Sequence, residues 1–286
     1  MFEELLTPKE GAALLEQHLS HICSRLHGLP FSSMSIILIG SYGRGEGAFI
    51  RRDNALCPVN DYDLLFVTAQ PLSYFERRAM RKLSKELTTT LGVWHVDLIP
   101  MTEEELCSSE MTMMRFDAKF AGKVLDGDRT ILARIPFSSN DLLPKSQYLD
   151  LLCNRLVTLL EAYPGMPVSG VMESERSSHQ ARQLAKVYFA LVDSFLGKSH
   201  PHQSFYRKKL ELLRQDQTET GRELWNYYEW VISAWNREQE ARGNDYLLLW
   251  KQIARLLIQE ILSLTTHEVS IPLTDISACF SHWRGR

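Results

Sequence analysis

Hydrophobic positions in the first third of the chain alternate between two periods. Leu15, Leu19, Ile22 and Leu26 recur at helical spacing. Ahead of them, Thr7, Pro8 and Glu10 offer an N-cap, a first-turn proline and a capping-box acid, so a helix is predicted that leaves at Gly28. The apolar run SMSIILI follows between Pro30 and Gly40 and predicts a buried strand. DLLFVTA, entered from PVNDYD, predicts a second. Ser73 and Glu76 form a capping box that opens a helix of about twenty residues ending near Gly92. VWHVDLI predicts a third strand, stopped by Pro100, and Thr102 with Glu105 repeats the capping signature. Helix, strand, loop, strand, helix, strand is the order of a small α/β unit.

From Lys145 to about Leu264 the period is helical. QYLDLLCNRLVTLLEAY, SERSSHQARQLAKVYFALVDSFLG, GRELWNYYEWVISAWNREQEA and YLLLWKQIARLLIQEILSL each predict one helix. The change of texture sets a boundary near residue 140, and residues 268–286 read as a weakly ordered or docked tail.

Composition narrows the class only a little. The 286 residues are 44% hydrophobic and 23% charged, ordinary for a soluble globular chain. A net charge of −3 gives no broad field for a nucleic-acid backbone, though it leaves room for a local patch. The longest apolar runs are too short to span a bilayer, and the acidic, polar start MFEELLTPKEG does not resemble a secretory signal. Five cysteines, an odd number with no Cys-x-x-Cys spacing, fit reduced thiols in a cytoplasm.

The chemistry gathers where strands end. The first strand empties into Gly40-Ser41, a glycine-rich turn without the Gly-Lys-Ser/Thr ending of a P-loop. Asp61 and Asp63 flank Tyr62 at the mouth of the second strand, and side chains at i and i+2 share a face. Asp97 sits within the third predicted strand, where a lone carboxylate is costly unless a cation or hydrogen bonds compensate. Three acids beside a glycine turn suit Mg²⁺, which takes oxygen ligands, few carboxylates, water and substrate phosphates.

Gly40-Ser41, then Asp61-Tyr62-Asp63, then Val96-Asp97-Leu98 resembles the signature of the nucleotidyltransferase superfamily that includes DNA polymerase beta. The likeness covers roughly residues 30–105. The helical half resembles, more generally, the partner domain of small bacterial members such as aminoglycoside nucleotidyltransferases. The resemblance implies an α+β fold: a nucleotidyltransferase α/β domain with a small mixed sheet over 1–140, then a helical bundle for the acceptor over 141–286. It implies a nucleoside triphosphate as substrate, with ATP the default on abundance alone, bound through Gly40 and Ser41, and two Mg²⁺ ions held by Asp61 and Asp63. Asp97 would ligate the ion nearest the acceptor and take the hydroxyl proton.

It also implies the partners. A nucleoside triphosphate meets a hydroxyl on a small molecule such as an aminoglycoside, or else on a protein as in toxin–antitoxin pairs. Neither a membrane nor nucleic acid is expected, since no basic stripe with interleaved aromatics is evident. RNA is the third choice of acceptor, and a non-catalytic nucleotide sensor is the rival from another class.

Other residues keep two readings. Arg44 can touch phosphate or pair with Glu46. Nineteen residues separate Ser41 from Asp61, more than compact members need, and the Arg51 and Arg52 of this insert can close on the triphosphate or stay solvated. Lys186, with Arg182 one turn earlier, is a candidate cation for the triphosphate or a solvated helix face, and Asp193 follows on the same side. His95 shares a face with Asp97 as a proton-handling group or an ordinary strand histidine. His200 and His202 lack further zinc ligands nearby. Trp225, Tyr227, Tyr228, Trp230 and Trp235 read as helix core before they read as a stacking platform.

Overall fold

The computed structural model describes residues 9–31, 33–52, 55–168, 171, 173–235 and 243–265. The cap positions Thr7 and Pro8 and the 268–286 tail lie outside these. The chain forms two compact units. One comprises Met1–Asp141 with His202–Glu211, and the other Leu142–Pro201 with Leu212–Arg286.

The first unit is a mixed sheet with helices. Helix α1 (Lys9–His27) leads into β1 (Ser35–Ile39), and a single turn, α2 (Gly40–Gly43), follows at once. Strands β2 (Phe49–Arg52) and β3 (Ala55–Pro58) pair as a hairpin, which is where the long insert goes. Strand β4 (Tyr62–Thr68), helix α3 (Tyr74–Leu91) and strand β5 (Val96–Thr102) come next. Then come α4 (Glu103–Leu106), α5 (Met113–Ala121) and β6 (Lys123–Gly127). The main sheet runs β5-β4-β1-β6, with β1 antiparallel to both neighbours and β4 parallel to β5.

Local chemistry explains the boundaries. The Ser73–Glu76 capping box is formed, and α3 closes on Gly92 at φ 62. Thr102 and Glu105 also form their box, but it opens only one turn. Strand β5 starts at Val96, three residues later than the apolar run suggested, and runs through Pro100. Proline is tolerated there because β5 is an edge strand and needs no N–H on its open side.

Alternation in the strands sorts the core. Ile36, Leu38, Tyr62, Leu64 and Phe66 face one way and pack with α1 and α3 through Ile22, Leu26, Met80, Leu83 and Leu87. Burying a side chain of this size is worth about 1.5–3 kcal/mol. Ile37, Leu65 and Val67, on the opposite face, are fully buried. Tyr42 joins the first core and ties the insert at its base: its hydroxyl donates to Ala48 O and accepts from Val59 N. Arg51, read as closing on the triphosphate or staying solvated, is an exposed side chain that pairs with Glu10 of α1 at the surface.

The second unit is helical: α6 (Lys145–Glu161), α7 (Glu173–Gly197), α9 (Glu219–Asn226), α10 (Tyr228–Trp235) and α11 (Gly243–Thr265). Helix α8 (Tyr206–Gln215) begins within the segment that belongs to the first unit. The aromatic run expected as one helix is two, α9 and α10, separated at Tyr227. Helix α7 is buried on nearly every side and packs against α6, α9, α10 and α11. No described helix is long and apolar enough to cross a membrane.

Candidate functional site

The ends of three strands meet beside Gly40. Ile39 of β1 is opposite Asp63 of β4, and Asp63 is opposite Asp97 of β5. Paired residues in a sheet share a face, so Asp63 and Asp97 project side by side, away from α1 and α3. Asp61 lies one residue ahead of β4 and is partly exposed, as Asp63 is. Tyr62 between them points into the other face. Its hydroxyl is 2.9 Å from His18 Nδ1, and its ring packs edge-on to Tyr42 at 4.9 Å. Burial first, then Tyr42, push the Tyr62 phenol well above its ordinary pKa, so it stays neutral. Asp-Tyr-Asp therefore works by alternation: the tyrosine anchors the segment and the acids stay at the surface.

Gly40 makes room for this arrangement. Its φ is +66, and a Cβ built there would run into Asp63 Oδ2. Ser41 is the second residue of the single turn and is 7% exposed. Asp97 departs from expectation. Because β5 starts at Val96, Asp97 sits at the strand mouth with its side chain 49% exposed, not in an apolar interior. Its compensation is His95, whose Nε2 is 2.9 Å from Asp97 Oδ1.

Among the described residues, no group of three or more His, Cys, Asp or Glu is arranged to hold a metal ion. The adjacent pair Asp63–Asp97 nevertheless fits magnesium by donor chemistry. That ion is satisfied by one or two carboxylates when phosphate oxygens and water complete its shell.

A second charged cluster sits behind the turn: the Arg44–Glu46 pair is one of the two readings of the sequence, and Asp117, His202 and Tyr206 join it from positions that the sequence does not link to it. Glu46, 1% exposed, accepts from Arg44 Nε at 3.0 Å and from the backbone N–H groups of Tyr206 and Arg207 at 3.2 Å each. Of the two readings of Arg44, the pairing with Glu46 is formed, and its side chain is only 8% exposed. Its guanidinium lies 4.6 Å from the Tyr206 ring centroid and 3.9 Å from Asp117 Oδ2. His202 Nε2 is 3.1 Å from Asp117 Oδ1, so this histidine serves a carboxylate.

Burial pushes the Asp117 carboxyl up, but the His202 hydrogen bond and the charges of His202, Lys209 and Arg44 outweigh it and hold the pKa below its ordinary value. A carboxylate with a depressed folded pKa adds stability that is complete above the unfolded value, about 3.9. That increment is lost as pH falls through the folded value. Urea midpoints measured from pH 6 down to pH 3 should therefore fall at the acid end, and Asp117→Asn should flatten that fall.

In the second unit, Lys186 is half-buried on α7, with Arg182 and Asp193 buried at 6% and 8%. None of the three lies on a solvated face. The aromatics pack on one another: Trp225 stacks on Tyr228 at 4.8 Å and 5°, and Trp230 meets Tyr246 at 5.6 Å. The Trp235 side chain lies outside the described residues.

No family model matches the chain, and no significant match is found among curated proteins. Among solved structures it is similar to the crystal structure of spectinomycin adenyltransferase AAD(9) from Enterococcus faecialis with ATP and spectinomycin. The identity is 11% and the TM-score 0.48, over 85% of this chain and 99% of that one. A likeness this remote leaves the function to be read from the chain's own residues.

Proposed function

We propose that this chain is a magnesium-dependent nucleotidyltransferase. It would move AMP from ATP onto a hydroxyl of a small molecule such as an aminoglycoside and release pyrophosphate. The observation that carries the reading is the pairing of Asp63 with Asp97 in register, with Gly40 pressed against Asp63 at the end of β1.

Each residue then has a role. Asp61, Asp63 and Asp97 would hold two Mg²⁺ ions. Bound magnesium supplies charge neutralisation for the triphosphate and the leaving pyrophosphate. Gly40 lets backbone approach the phosphates, and Ser41 donates to them. The acceptor oxygen attacks the α-phosphorus, its proton passes to Asp97, and the bond to the pyrophosphate oxygen breaks. His95, already on Asp97 Oδ1, steadies the carboxylate as it takes the proton. Arg44 acts from behind, fixing the turn through Glu46. For Lys186 we keep the role that the resemblance implies, a cation for the triphosphate.

A nucleotide sensor is the alternative that an observation favours. One oxygen of Asp97 is already taken by His95, and a sensor needs no complete ligand set. The full chain should be incubated with Mg²⁺, each nucleoside triphosphate and a panel of aminoglycosides. The reading expects acceptor-dependent pyrophosphate from ATP, an acceptor heavier by one AMP, and loss of both on chelation. Nucleotide binding by calorimetry without pyrophosphate from any mixture selects the sensor. Radiolabel appearing only in macromolecular fractions of a lysate moves the acceptor to protein or RNA.

A further inference from the structure

Helix α3 carries its charge on one side. Its buried positions, Met80, Leu83 and Leu87, face the sheet. Arg77, Arg78, Arg81, Lys82 and Lys85 are all exposed. At 100° per residue these five cations fall within an arc of about 140°, centred opposite the core. The two acids of the helix do not cancel them. Glu76 is used in the capping box, and Glu86 lies at the margin, bonded to Arg25 at 2.7 Å and 3.8 Å from Lys82. A ridge of five positive charges on a chain of net charge −3 is a local concentration of one sign.

The ridge also has an aromatic head. Tyr74 and Phe75, in the first turn, are 66% and 79% exposed and pack edge-on to each other at 5.7 Å. Leaving two adjacent rings in water is unfavourable unless something covers them. From Tyr74 to Lys85 the helix rises about 16 Å, long enough for the cations to follow several phosphates of one strand.

We propose that the outer face of α3 binds single-stranded nucleic acid. Tyr74 and Phe75 would stack on unpaired bases, and Arg77, Arg78, Arg81, Lys82 and Lys85 would track the phosphates. Charge complementarity selects a polyanion, and the exposed ring pair selects one that carries planar bases. An anionic membrane fits less well. An interfacial helix lays its apolar face into the bilayer, and the apolar face of α3 is already spent on the core. The surface lies on the side of the sheet away from Asp63 and Asp97, so the inference is independent of nucleotidyl transfer. It also amends the sequence expectation that nucleic acid is not a partner, because a stripe spread at helical spacing over Arg77–Lys85 is not a contiguous basic run.

The test is fluorescence anisotropy of the full chain with labelled 12-mer oligouridylate and oligothymidylate, titrated with salt, with phosphatidylserine vesicles as a second arm. The logarithm of the binding constant should fall linearly with log salt. The triple change Arg78→Gln, Arg81→Gln, Lys82→Gln should reduce the slope by about 2. The double change Tyr74→Ala, Phe75→Ala should weaken binding about tenfold or more at unchanged slope. All five side chains are exposed, so the thermal midpoint should hold in both variants and report folding separately. Equal affinity for the two oligomers keeps the proposal as stated, and a preference for one that oligodeoxyuridylate follows or reverses names the base methyl or the sugar as its source. No oligomer binding, binding that both variants leave intact, binding insensitive to loss of the two rings, or vesicle binding alone would overturn it.

Discussion

Glu46→Ala should lower the unfolding free energy by about 3–5 kcal/mol, the usual result of removing one partner from a buried ion pair. Glu46 is 1% exposed and Arg44 only 8%, so water cannot replace what the substitution removes. The Arg44 guanidinium would be left facing the Tyr206 ring and Asp117 without its nearest anion. Two backbone N–H groups, of Tyr206 and Arg207, would lose the acceptor that holds the start of α8 to the first unit. A domain of this kind has about 5–15 kcal/mol in total, so the urea midpoint should shift visibly. The companion variant, Arg44→Leu with Glu46→Leu, removes both charges and should recover the part of the loss due to the unpaired guanidinium, leaving the part due to the two N–H groups. A cost below about 1 kcal/mol for Glu46→Ala would mean that the cluster opens to solvent.

That cluster marks the limit of what the sequence could reveal. Gly40-Ser41, Asp61-Tyr62-Asp63 and Asp97 were legible because strand alternation and turn chemistry are local: each acid's face follows from its parity with Tyr62 or Val96. The Ser73–Glu76 box and the Gly92 exit were legible for the same reason. Glu46 meets Tyr206 across 160 residues, and no periodicity encodes that. Strand β6 is five residues at the sheet edge, with only Val124 and Leu125 apolar, below what alternation can resolve. In the hairpin, Arg51 and Arg52 break the apolar pattern of β2, so alternation does not mark the strand. Asp97 was misjudged by its neighbours. The apolar frame is real, but pairing of β5 begins at Val96, and a carboxylate one residue inside the mouth can still reach water.

The site itself is tested by two glycines that differ in one respect. Gly40 and Gly45 both hold positive φ, +66 and +71. Alanine at either position pays the left-handed strain of about 1–2 kcal/mol. Only at Gly40 does the new Cβ meet a side chain, Asp63 Oδ2, while at Gly45 nothing lies within 4 Å. Gly40→Ala should therefore push Asp63 out of line with Asp97 and reduce acceptor-dependent pyrophosphate release about 10²-fold. Asp63→Asn should cost at least as much, about 10²–10³-fold, with the fold intact. Gly45→Ala should lose stability like Gly40→Ala and keep turnover within about twofold when assayed well below its melting temperature. The pair separates strain from position. If both alanine variants lost turnover equally, loop strain would account for the effect and the carboxylate at position 63 would not. If neither lost it while Asp63→Asn did, the carboxylate would act from a displaced position, and the close packing of Gly40 would serve the fold alone.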